Sequence, residues 1–181
     1  SLNGTGVVPQ VVYTVLAGTT GHGTISPSGQ VPVNFRATGT FAISPDAGYH
    51  IVSVAGCGGS LAGTTYTTAP ITENCAVTAD FAINTYTITT SAGAGGTITP
   101  SQPATASYGS SQVFTIIPNA GWRIVSVTGC GGTLAGNTYT TGAITADCAV
   151  IASFTGTLTI TVNAGEGGSI SPSGPVKADS G

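Results

Sequence analysis

A chain of 181 residues with a net charge of −3, 5% charged residues, 28 glycines and 31 threonines is far from the composition of an average cytosolic domain. Arg36, Arg123 and Lys177 are its only basic residues, which excludes a nucleic-acid binder, because neutralising phosphates takes clustered Lys and Arg. A hydrophobic content of 40% argues against disorder, and no apolar run approaches the roughly 18 residues that cross a bilayer, so no membrane insertion is expected.

In chain order, residues 1–12 form an extension whose apolar stretch is Val7-Val-Pro-Gln-Val-Val12. Residues 13–82 then make a unit that recurs at 86–155 with an offset of 73, and 34 of the 70 paired positions are identical. Self-similarity at a fixed spacing marks a tandem repeat. The segments between units are only Ile83 to Thr85, then Gly156 with Thr157. A third copy opens at Leu158, and its LTITVNAGEGGSISPSG matches YTITTSAGAGGTITPSQ from Tyr86. Residues 158–181 carry it about a third of the way through a unit.

Within a unit the pattern is β throughout. Tyr86-Thr-Ile-Thr-Thr alternates apolar and polar residues, and AGAGG then supplies turn glycines before Thr97-Ile-Thr. Together these predict an opening hairpin. After a loop containing Pro and Ser, strands are expected at Gln112 to Ile117 and Trp122 to Thr128, around the turn Pro118-Asn-Ala-Gly. The first unit spells that turn Pro45-Asp-Ala-Gly. A last strand at Cys148 to Phe154 places Val150, Ala152 and Phe154 on one face, matched by Val77, Ala79 and Phe81. With no helical periodicity over three turns and many β-branched residues, the fold class is all-β: tandem small antiparallel β-sandwich or β-grasp-like modules.

Each unit holds two cysteines, Cys57 with Cys75 and Cys130 with Cys148, with 17 residues between them in both copies. An even number at a repeated spacing in a small β module reads as one disulfide per module. Zinc is the rival reading, but a structural site wants four Cys or His ligands, and the histidines do not repeat: His22 aligns with Gly95 and His50 with Arg123. No metal and no cofactor are expected. In the loop-entropy model such a link is worth roughly 3 kcal/mol, a large share for a module whose core alone is marginal. Disulfides also point to an extracellular or cell-surface setting. The chain opens at Ser1 without a charged, apolar leader, so an export signal is expected to have been removed or to lie outside this sequence.

An activity carried by each module would need its ionisable residues in both copies. Asp46 aligns instead with Asn119, Glu73 with Ala146, Asp80 with Ser153 and Asn74 with Asp147. A pair of acids for glycoside hydrolysis is therefore missing from the second unit. Asp46 with His50 reads as a base and its orienting group beside a serine, or as a turn acid preceding an exposed strand residue, which is the preferred reading. Not an enzyme is the expectation.

Aromatic positions do recur: Tyr49 with Trp122 and Tyr66 with Tyr139. They form a candidate platform for a glycan or another surface ligand, since ring faces stack on apolar ligand faces, with core packing as the competing reading. So low a charge also leaves little self-repulsion, which favours association of copies head to tail. The candidate strands for such pairing are Val7, Val8, Val11 and Val12 in the extension and Leu158, Ile160 and Val162 in the third copy. A lone hairpin is marginal in water, so the third copy is expected to be completed by a continuing chain or by another module.

The motifs YTITTSAGAGGTITPS, FTIIPNAGWRIVSVTGC and ITADCAVIASF, with their first-unit counterparts, resemble the divergent InlB B-repeat family of bacterial repeat domains. The resemblance covers residues 13 to 174 and implies tandem modules in secreted or surface proteins of bacteria, serving as spacers, stalks or accessory modules without family catalytic residues. The better known internalin repeats have a β-grasp-like fold with a helix, and in this chain the Cys loop stands where such a helix sits.

Overall fold

The computed structural model describes residues 10–179, and contacts divide the chain into two compact units after Asn84. Among the described residues there is no helix. In the first unit the strands are β1 (Val12–Thr19), β2 (Gly23–Ser26), β3 (Gly29–Asn34), β4 (Thr40–Pro45), β5 (Tyr49–Ala55), β6 (Ser60–Ala62), β7 (Thr65–Thr67) and β8 (Cys75–Ile83). They build two four-stranded sheets, ordered β3-β1-β8-β5 and β2-β4-β7-β6. The Cys loop, which stands where internalin repeats have a helix, holds none, in keeping with the all-β expectation. That loop instead carries β6 and β7 as a short antiparallel hairpin lengthening the second sheet.

The second unit repeats this plan with β9 (Thr85–Ala92), β10 (Gly96–Thr99), β11 (Ala104–Ser107), β12 (Val113–Pro118), β13 (Trp122–Thr128), β14 (Thr133–Ala135), β15 (Thr138–Thr140) and β16 (Cys148–Ile160). Its sheets run β11-β9-β16-β13 and β10-β12-β15-β14. Most pairs are antiparallel, but β1 with β8 and β9 with β16 are parallel, so the first and last strands of each unit lie side by side. A parallel pair needs a long crossover connection, and here the whole unit provides it.

The expected opening hairpin is corrected. β9 pairs with β11 and β16, whereas β10 pairs with β12 in the other sheet. The glycine turn thus carries the chain from one layer to the facing one. Both Ile88 and Ile98 are buried in the same core, so the two strands meet through side chains and not through their backbones.

Alternation decides which residues enter that core. In β4, FAISP buries Phe41 and Ile43 and exposes the residues between them, and β12 does the same with Phe114 and Ile116. Each of the nine buried apolar residues of the second core stands 73 positions after a buried apolar residue of the first. Only Ala17 lacks a buried counterpart, since Thr90 is half-buried. Val52 and Val125, both exposed, are the extra residues of the same bulge against the closing strand in the two units.

β16 does not stop where its first-unit counterpart does. Its last residues pair antiparallel with β17 (Val176–Asp179), placing Leu158 opposite Ala178. That is the register of Tyr13 opposite Val33 and of Tyr86 opposite Ala106. The third copy therefore sets out the same strand pair as the two complete units.

Candidate functional site

The most heavily built place in each unit surrounds the cysteines. Cys57 and Cys75 are bonded with their Cα atoms 5.6 Å apart, and Cys130 and Cys148 with theirs 5.5 Å apart. With both pairs oxidised, the zinc reading falls; among the described residues no group of three or more metal-ligating side chains exists. The bonds close the Cys loop onto the start of the last strand.

The approach to each first cysteine is shaped by its neighbours. Gly56 and Gly129 have φ values of +129° and +115°, and a Cβ on either would lie 1.8 Å from the carbonyl oxygen of Ala76 or Ala149. Nothing larger than hydrogen fits there. The carbonyl oxygens of these glycines accept hydrogen bonds from Tyr66 Oη and Tyr139 Oη, both at 2.6 Å. Thr68 and Thr141, buried as well, accept from the Gly39 and Gln112 backbone N–H at 2.8 and 2.9 Å.

Beside each disulfide lies a shallow hollow of about 390 Å³ in the first unit and about 410 Å³ in the second. Ile71 and Ile144 form their equivalent apolar floor, while Glu73 lines only the first and Asp147 only the second. No acid recurs at an equivalent position.

Several ionisable groups serve as hydrogen-bond acceptors or are exposed. Asp80 Oδ2 accepts from Ser53 Oγ at 2.9 Å, and in the second unit Ser126 and Ser153 meet there at 2.7 Å. Asp147 Oδ1 accepts from the Thr87 N–H at 2.8 Å, as Asn74 Oδ1 does from the Thr14 N–H at 2.8 Å. His50 Nδ1 lies 2.8 Å from Asn84 Oδ1. Asp46 is exposed in its turn, where its carbonyl accepts from the Tyr49 N–H at 3.0 Å.

The four aromatic residues of the candidate platform separate into two kinds. Tyr66 and Tyr139 are 2% and 1% exposed, so they are core residues and not part of any surface platform. The reason lies in the pattern: each is the middle residue of a three-residue Thr-Tyr-Thr strand, whose centre points inward. Tyr49 and Trp122 sit at the opposite end of the closing strand from the cysteines, opposite Ile83 and Gly156. The Tyr49 ring is stacked on His22, with centroids 4.3 Å apart and planes 4° from parallel. Trp122, 39% exposed, lies over Gly95, where a Cβ would stand 2.0 Å from the indole. Sequence reasoning missed His22 and Gly95 as the seats of these rings, although the offset aligns them with each other.

Of the candidate pairing strands, Val7 and Val8 lie outside the described residues. Val11 and Val12 are exposed, and the Val11 carbonyl accepts from the Phe35 N–H at 2.8 Å. Leu158 and Ile160 are 57% and 53% exposed and Val162 is half-buried.

The family model of the divergent InlB B-repeat domain matches residues 13–85 and again 86–157. No curated protein and no solved structure matches the chain. The chain belongs to the divergent InlB B-repeat family, as two tandem copies built to one plan.

Proposed function

We propose that this chain is a non-catalytic structural protein of the bacterial surface or of secreted material, its disulfide-closed sandwiches strung in tandem as a stalk. The observation that carries the reading is β16, one strand of 13 residues that closes the second unit and runs on to open the third copy. A joint made of a single paired strand leaves little slack between the second unit and the third copy. The disulfides support the compartment, since such bonds persist outside the reducing cytosol. Mild protease shaving of intact cells is expected to release fragments of the protein with all four cysteines oxidised. Free thiols in natively isolated material overturn the reading.

A further inference from the structure

We infer a carbohydrate-binding site at the Trp122 end of the second unit, its ligand the flat C–H face of a β-linked pyranose chain. The inference stands apart from the stalk reading, because it rests on one ring and its seat and not on how copies are joined.

Trp122 opens β13 and is the only tryptophan in the chain. One face of its indole is pressed against Gly95, whose φ of +97° suits glycine and whose missing Cβ makes room for the ring. Trp122 is nonetheless 39% exposed, more than a residue serving only to close a core would be. The negative face of an indole attracts electron-poor hydrogens, and a β-linked pyranose with equatorial substituents presents a flat array of C–H groups on one side.

Polar groups at the same end fit the hydroxyls of such a ligand. Asn119, exposed in the turn, accepts the Trp122 backbone N–H on its own backbone carbonyl at 2.9 Å, three residues before the ring, and offers an amide at the same end. Thr157 Oγ1 donates to the Gly121 carbonyl at 3.1 Å and keeps lone pairs for a ligand hydroxyl. An apolar plate with a few convergent amide and hydroxyl groups is the usual composition of a small-ligand site.

The first unit has the same device in another form. Tyr49 is stacked on the exposed His22, which has a φ of +62°. Two residues have changed together across the repeat: a smaller ring over a side chain in one unit, a larger ring over bare backbone in the other. The plate is retained while its composition varies.

Because Trp122 is the sole indole, its fluorescence reports the site directly. The full chain is titrated with cellohexaose, laminarihexaose and chitohexaose, with α-linked maltohexaose as contrast, and run in affinity gels against the corresponding polysaccharides. A saturable spectral shift with at least one β-linked hexasaccharide is expected, with retention by its polymer. Trp122→Ala is expected to weaken retention by about tenfold or more, while Trp122→Tyr, which installs the first unit's own residue, retains most of it. Asn119→Ala leaves the ring in place and is expected to cost several-fold; with Trp122→Tyr it keeps the test open if Trp122→Ala fails to fold. No response to any β-linked probe, an equal response to maltohexaose, or retention unchanged in a folded Tyr49→Ala, Trp122→Ala double variant overturns the inference.

Discussion

Between residues 13–82 and 86–155 the molecule has kept the close approaches to backbone around its cysteines and changed its ionisable groups. Gly56 and Gly129, Tyr66 and Tyr139, Thr68 and Thr141 and all four cysteines occupy equivalent positions and make equivalent contacts. Glu73 and Ala146, His50 and Arg123, and Asp80 and Ser153 are equivalent positions with unlike side chains. The difference teaches that the fold is specified by a few close approaches around the cysteines, and that ionisable chemistry is not part of what was duplicated.

The sharpest way to break that comparison is to place a methyl group where none fits. Gly129→Ala would put a Cβ 1.8 Å from the Ala149 oxygen at a φ of +115°. It is expected to destabilise the second unit by about 4 kcal/mol or more, the range reserved for steric and strain failures. Gly136→Ala, at a φ of +61° with nothing within 4 Å, is the control; only the left-handed backbone opposes it, at about 1–2 kcal/mol. Urea unfolding followed through Trp122 separates the two, and equal midpoints would show that the close approach relaxes away.

Next comes the covalent link. Replacing Cys130 and Cys148 together by serine opens a loop with a sequence separation of 18 and is expected to cost about 3 kcal/mol. The same exchange at Cys57 and Cys75, with the same separation, should cost as much. A large inequality between the units would mean that their cores, and not their links, differ in strength.

Smaller and more diagnostic are the buried threonines. Thr68→Val leaves the Gly39 N–H without its acceptor in a buried setting, whereas Thr141→Val does the same to Gln112 at a part-buried one. About 2 kcal/mol is expected for the first and less for the second, because an orphaned donor costs most where water cannot reach it. Reversal of that order in paired urea titrations would remove burial as the cause.

Much of this was legible in the letters, for reasons that particular residues show. Alternation in FAISP and FTIIP is a local signal, and it marks Phe41, Ile43, Phe114 and Ile116 as inward whatever the topology. Equal Cys spacing in duplicate units marks the disulfides in the same way. The opening turn was not legible: AGAGG allows a hairpin or a crossing between layers, and the choice rests on β12 claiming β10 from 14 residues further on. Tyr66 and Tyr139 were ambiguous for a related reason, since a strand of three residues is too short to display its own period. Nor does any local pattern announce that β1 and β8 lie in parallel, because that pairing is decided only when the whole unit has closed. The seats of Tyr49 and Trp122 required knowing that the turn after β1 or β9 folds beneath the ring.

The smallest expected effect tests the other half of the comparison, the claim that charge is dispensable. Asn74 and Asp147 each present an Oδ1 to a backbone N–H of the opening strand at 2.8 Å. A neutral amide oxygen and a carboxylate oxygen both accept such a bond, and both residues are exposed, so solvent screens whatever the charge adds. Asp147→Asn and Asn74→Asp are therefore each expected to shift stability by no more than about 0.5 kcal/mol. Asp147→Ala, which removes the acceptor itself, should cost more than Asp147→Asn, because the Thr87 N–H then depends on water alone. Were Asp147→Asn instead as damaging as Asp147→Ala in the same titration, the carboxylate would be doing something that its first-unit counterpart cannot. The acid would then belong to what distinguishes the second unit in function, and not to the neutral drift of its surface.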